Sequence, residues 1–209
     1  MFLKLFSAQF RKPTGFFGRY IGNRMARGNQ YEAEWTVSLL NLQPTDRVLE
    51  IGFGPGVAIQ LVSQKVTNGQ VVGIDLSATM VHLARQRNAP ALQTGRVQLD
   101  QGDVINPPYP PDSFDKAFTI HTIYFWQSPA DALKQLKRVL KADSLLAITM
   151  MTKDKWQPPP PSNIFTLYSP DDVQRFLTDA GFQQIQVKTS PEPDKFPGVC
   201  LLAVNHKEQ

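Results

Sequence analysis

The chain has 209 residues, 42% hydrophobic and 19% charged, a composition that suits a folded protein with a sizeable core. No run of about 18 apolar residues occurs, which excludes a spanning helix, and a single cysteine, Cys200, excludes an intrachain disulfide. The formal charge of +4 is uneven: residues 1–31 carry six bases and no acid, while the remainder has 16 bases and 18 acids. The opening "MFLKLFSAQFRK" is interrupted by Lys4 and too short in its apolar stretch for a signal peptide. A cytoplasmic location is expected. His82, His121 and His206 stand far apart, so no metal site is expected.

After the basic arm, "YEAEWTVSLLNL" (31–42) reads as a helix, with Trp35, Leu39 and Leu42 on one face. "DRVLEIG" (46–52) reads as a buried strand, and "VAIQLVSQKV" (57–66) as a helix stopped by Asn68-Gly69. "QVVGID" (70–75) is a second strand. "SATMVHLARQRN" (77–88) is a helix capped by Ser77, with Met80, Leu83 and Ala84 on one side. "RVQLDQGD" (96–103) and "FDKAFTI" (114–120) are the third and fourth strands. "SPADALKQLKRVLK" and "SPDDVQRFLTDAGF" each begin with a Ser cap, a Pro at the first helical position and acids in the first turn. Between them "SLLAITMM" (144–151) is a fifth strand. "FQQIQVKT" (182–189) and "GVCLLAVNHK" (198–207) close the chain as two strands.

Strand-helix alternation from residue 46 predicts an α/β fold: a parallel sheet with helices on both faces. The last two strands have no helix between them, which predicts an antiparallel edge hairpin. "KDKWQPPPPSNIFTLY" (153–168) contains four consecutive prolines and reads as a stiff extended excursion of the kind that covers ligands. Gly15, Gly18 and Gly22 argue against one uninterrupted helix in the arm.

The first strand ends in Glu50-Ile51-Gly52-Phe53-Gly54-Pro55-Gly56, and a helix follows. Glycines there allow a tight turn and close approach of a ligand, and the helix offers free N–H groups. Asp75 follows Gly56 by 19 residues and ends the next strand, where a carboxylate can accept both hydroxyls of a ribose. Such bonds contribute about 1.5–3 kcal/mol each. Three readings of the turn stand: a structural bend, a dinucleotide site, or a site of the order acid-x-Gly-x-Gly-x-Gly. The dinucleotide pattern prefers glycine where Val57 stands.

Five ordered segments, "VLEIGFGPG", "VVGIDLS", "LDQGDV", "FDKAFTIHTIYFW" and "LKQLKRVLKADSLLAITM", resemble the class I S-adenosylmethionine-dependent methyltransferases. Within that family the resemblance leans to the small-molecule branch of the ubiquinone and menaquinone methyltransferases, over roughly residues 30–205. It implies a Rossmann-like doubly wound sheet of seven strands, the last antiparallel, in a domain of residues 31–209 behind an arm of residues 1–30. It implies S-adenosyl-L-methionine as cofactor and a small acceptor, hydrophobic or amine-bearing. Gly52, Gly54 and Gly56 would pass under the methionine part, and Glu50 would hold its amino group. Asp75 would take the ribose hydroxyls, and Leu76 would pack on adenine. Asp103 would accept the adenine amino group with Val104 beside the ring. Ile120 and His121 would meet the methionine ammonium, and Met80 would line the adenine pocket or pack the core. Two alternatives stay open: a cofactor-binding sensor without catalysis, and a dinucleotide-dependent oxidoreductase.

Asn106-Pro107-Pro108-Tyr109 spells a clamp found in nitrogen-directed methyltransferases, but there the clamp follows the fourth strand. Here it precedes that strand, so it reads as a turn. "HTIYFW" (121–126) occupies the clamp's usual place. His121 is the candidate general base by position and near-neutral pKa. Tyr124 and Trp126 are candidates for an aromatic wall or cation–π cradle around the acceptor. For the arm, a lid over the site, a peripheral contact with an anionic membrane, and a solvated basic tail compete. Nucleic acid is not expected as a partner, because no reading module is visible.

Overall fold

The computed structural model describes residues 11–155 and 165–207. Its strands are β1 (Arg47–Ile51), β2 (Gln70–Asp75), β3 (Val97–Gln101), β4 (Phe114–Ile120), β5 (Leu140–Met151), β6 (Gln183–Thr189) and β7 (Gly198–Asn205). The helices are α1 (Gly15–Gly28), α2 (Gln30–Leu39), α3 (Val57–Lys65), α4 (Ala78–Arg87), α5 (Ala89–Gln93), α6 (Pro129–Val139) and α7 (Pro170–Asp179), with a 3₁₀ turn at Ile123–Phe125.

The strands form one sheet in the order β3-β2-β1-β4-β5-β7-β6. β3 through β5 pair in parallel, and β7 runs antiparallel between β5 and β6. The closing strands thus form the expected edge hairpin, with the later strand inserted inward. Both faces of the central strands are buried, which is why they read as continuous apolar runs. Val48, Val71, Phe118 and Ala147 turn to one side, under Val37 of α2, Ile59 and Val62 of α3 and Ala84 of α4. Leu49, Val72, Ala117 and Ile148 turn to the other, under Leu133 and Leu136 of α6 and Val173 and Leu177 of α7.

The chain leaves β1 toward β2 and β3, then returns to β4 and continues the opposite way. The carboxyl ends of β1, β2 and β4 meet at this reversal, where open α/β sheets bind ligands.

Four expectations are corrected. α1 is one continuous helix despite its glycines. Gly18 and Gly22 sit one turn apart on the face turned inward, and a Cβ on Gly22 would meet Leu83 and Met80 at 2.7 Å. Close packing offsets the propensity cost. The buried face of α2 carries Glu32, Ala33, Thr36 and Val37, whereas Trp35, Leu39 and Leu42 are half-buried. β5 starts four residues earlier than expected, at Leu140, because a bulge interrupts its pairing before the regular ladder resumes at Leu145. The short helix α5 was not anticipated. The prolines 158–161 and residues 1–10 lie outside the described residues.

Candidate active site

At the end of β1 the chain turns through Gly52, with φ of 67°, and Gly54, with φ of 52°. A Cβ on Gly52 would stand 2.3 Å from the Thr122 side chain, so the turn from β1 and the turn from β4 interlock only around glycine. Asp75, at the end of β2, ties the turn down. One carboxylate oxygen accepts the Gly54 N–H at 2.8 Å and the other the Ser77 N–H at 2.8 Å. Each oxygen keeps a lone pair for a further donor. Burial pushes the Asp75 carboxyl up to about 6.

A crevice of about 840 Å³, its open mouth included, lies over these strand ends. Gly52, Gly54, Asp75, Leu76, Met80, Asp103, Val104, Ile120 and His121 all line it. Gly56 does not. Its Cα is turned toward Ala84 and Asn88 of the α4 region, so its place is in packing. Met80 lines the crevice and is also almost fully buried.

A smaller hollow adjoins, sharing Met25, Gly52, Gly54 and Ile120 with the crevice. Glu50 lines it together with Asn29 and Ala33, which flank the start of α2. The Glu50 carboxyl is buried, and its Oε2 has no hydrogen-bond partner among the described residues. Burial, reinforced by the nearby Asp75 charge, holds its pKa well above the usual carboxylate range. An orphaned buried acid beside a hollow calls for a cationic ligand.

His121 follows β4 with a φ of 59°, an uncommon conformation for a residue bearing a side chain. Its N–H donates to the Thr149 carbonyl of β5 at 2.9 Å. The ring stacks on Tyr124 and meets the Phe196 edge, and Phe196 packs on Trp35. His121 Nδ1 stands 3.3 Å from the Tyr124 hydroxyl. That hydroxyl also accepts the Met151 N–H and lies 3.3 Å from the Met151 carbonyl. Burial pushes the imidazole pKa down to about 4, so the ring is neutral at physiological pH. Tyr124 itself is buried and does not line the crevice, whereas Trp126 and its neighbour Phe125 do.

The comparisons with known proteins fit this geometry. Residues 49–148 match a family described as "Methyltransferase domain". The uncharacterized methyltransferase YdaC of Bacillus subtilis is 30% identical over 167 residues, covering 80% of this chain and 88% of that protein. The chain belongs to the class I S-adenosylmethionine-dependent methyltransferases. The ubiquinone/menaquinone biosynthesis C-methyltransferase UbiE of Geotalea daltonii is 29% identical over 118 residues, which are 54% of this chain and 49% of that enzyme. The chain thus spans about half the length of some curated relatives. A crystal structure of a SAM-dependent methyltransferase from Aquifex aeolicus shares the fold, with a TM-score of 0.73, 24% identity, and coverage of 89% of this chain and 96% of that one.

The methyltransferase uses S-adenosylmethionine, and its membership closes the dinucleotide alternative. The residues fit that cofactor: Glu50 presents an orphan oxygen to an ammonium, Asp75 keeps lone pairs for hydroxyls, and the wall near Asp103 is apolar. No cluster of metal ligands occurs among the described residues.

The tetrapeptide 106–109 is a structural loop. The Arg138 guanidinium donates to the Tyr109 carbonyl at 2.7 Å and to that of Pro107 at 3.2 Å, and the Tyr109 hydroxyl donates to Asp100 at 3.0 Å. None of the four residues lines the crevice. Sequence reading missed Arg11, Pro13 and Met25 from the N-terminal segment, which line the crevice. It also missed Asn29, Glu32 and Ala33. Glu32 is 8% exposed, with one carboxylate oxygen unpartnered among the described residues.

Proposed function

We propose that the enzyme methylates a small hydrophobic or amine-bearing acceptor, with His121 taking the proton the acceptor gives up. The observation that carries this is a neutral, half-buried imidazole lining the crevice, in a strained backbone conformation beside the glycine turn. The cofactor supplies the activated methyl group. The protein's share is alignment, worth on the order of 7–11 kcal/mol when complete.

In this reading Gly52 and Gly54 let the backbone approach the methionine part, and Glu50 holds its ammonium. Asp75 holds the ribose hydroxyls, while Leu76, Met80, Asp103 and Val104 enclose the adenine. Ile120 closes the floor between crevice and hollow. Tyr124 positions the base. With the Met151 N–H on one lone pair of its oxygen and its own proton on the Met151 carbonyl, the second lone pair accepts Nδ1–H of His121. Nε2 is then unprotonated and ready to accept. Phe125 and Trp126 give the acceptor an apolar wall, which favours the hydrophobic class. The described part of the arm, which lines the crevice through Arg11, Pro13 and Met25, is the lid, and it adds a peripheral membrane contact to the reading.

The test is incubation with isotope-labelled cofactor and extract of the source, followed by mass spectrometry of labelled products. A labelled lipophilic or amine product supports the assignment; label only on macromolecules overturns it.

A further inference from the structure

The outer face of α1 is unlike any other described surface of the molecule. Phe16 is 89% exposed, Tyr20 54% and Phe17 39%, so three of the five exposed large hydrophobics among the described residues fall within five positions. Phe17 and Tyr20 stack, with ring centroids 6.4 Å apart. Helical spacing places Phe16, Arg19, Tyr20, Asn23, Arg24 and Arg27 outward, and Gly18, Ile21, Gly22 and Met25 inward. The aromatics occupy the first half of the helix and the arginines its flank and second half. The first acid in the sequence is Glu32, so nothing within the arm neutralises this charge.

We propose that this face seats the enzyme on an anionic lipid surface, with the mouth of the crevice beside the bilayer. The inference rests on the reading above, because it names where a lipophilic acceptor enters. Aromatic rings on a short helix partition into the headgroup region, and flanking arginines reach the phosphates. Position agrees with chemistry. Arg11 and Pro13, just ahead of α1, line the crevice, as does the exposed Ile105. The Ser77 hydroxyl, at the start of α4, donates to the Pro13 carbonyl and fixes the helix there. No helix among the described residues is long and apolar enough to cross a membrane, so the contact is peripheral.

The experiment is flotation of the full chain with vesicles of phosphatidylcholine alone, and with about one third phosphatidylglycerol added. Co-flotation with the anionic vesicles only, weakened by added salt, is expected. Replacing both Phe16 and Tyr20 by alanine lowers the partition by about tenfold, and losing Arg19, Arg24 and Arg27 together lowers it by about a hundredfold, at roughly fivefold per arginine. Calorimetry with S-adenosylhomocysteine checks that each variant is folded, since none of these side chains lines the crevice. Absent flotation, flotation unaltered in both variants, or displacement from the vesicles by tRNA overturns the proposal. Flotation without labelled product would instead sink the acceptor assignment and leave the lipid surface standing.

Discussion

Burial moves the two site residues Asp75 and His121 in opposite directions, the carboxyl up to about 6 and the imidazole down to about 4. On the proposed reading Asp75 accepts the cofactor hydroxyls, best when ionised, so affinity is expected to fall as pH drops through about 6. Glu50, also raised, acts in the same sense, because it must ionise to hold an ammonium. His121 accepts a proton only while neutral, and it stays neutral down to about 4. The two acid limbs therefore separate: KM for S-adenosylmethionine rises below about pH 6, while kcat at saturating cofactor holds until the pH nears 4. Steady-state profiles check this, and a kcat profile that is unchanged across pH in a His121→Ala variant would remove His121 as the base. Asp75→Ala is expected to weaken cofactor binding by about tenfold to a hundredfold, read by calorimetry with S-adenosylhomocysteine. Glu32 tests burial without assigned chemistry. Its folded pKa is raised by desolvation, so the stability it contributes is greatest below the unfolded value and is lost as pH rises through the folded one. Glu32→Gln should raise Tm at pH 8 and leave it unchanged at pH 4. Gly52, Gly54 and Asp75 were legible because one short stretch of chain and its neighbouring strand hold them. Glu32 was not, because an acid inside "YEAEW" reads as a solvated helical face until packing against β5, through Thr36 and Thr149, decides otherwise.

At the scale of elements, the helices that announced themselves did so through their ends. Ser169 accepts the Asp172 N–H, and Asp172 accepts the Ser169 N–H, a reciprocal capping box at the start of α7. Ser128 accepts the Asp131 N–H at the start of α6. Ser169→Ala is expected to cost about 1 kcal/mol, and Ser128→Ala somewhat less, since it breaks one bond and leaves no reciprocal partner behind. Urea denaturation measures both as shifts in midpoint at constant slope. Elements without end signals were the ones misjudged. α5 is five residues long, below the reach of any periodicity. The start of β5 hid because Lys141 to Asp143 stand outside the ladder, with Asp143 at a φ of 57°, and such a stretch reads as a turn. α1 was judged broken because propensity counts each glycine as a cost. The compensating term, contact of a bare Cα with Met80 and Leu83, is tertiary and leaves no local mark.

Across the whole molecule, α1 couples the outer surface to the interior. Its buried contribution is small: Ile21 is its only large apolar side chain below the surface, and Gly18 and Gly22 add little area. Local opening of such a helix costs far less than global unfolding. Met25, however, lines both the crevice and the adjoining hollow, and Arg11 and Pro13 line the crevice ahead of it. A cofactor filling both spaces must therefore touch α1 in its closed position and has no such contact when the helix lifts. Ligand that binds only the closed state stabilises it by about 2.7 kcal/mol at a hundredfold excess over Kd. Amide exchange in residues 15–28 should then slow by up to about a hundredfold when cofactor is added, provided opening of α1 alone exposes those amides. The central strands β1, β4 and β5, whose exchange follows global unfolding, should shift only by the stabilisation of the whole fold. Mass-spectrometric exchange with and without S-adenosylhomocysteine separates the two. If α1 exchanges at the same rate in both conditions while the loop at Gly102 to Ile105 is protected, the helix is no lid, and the crevice is closed by some other part of the chain.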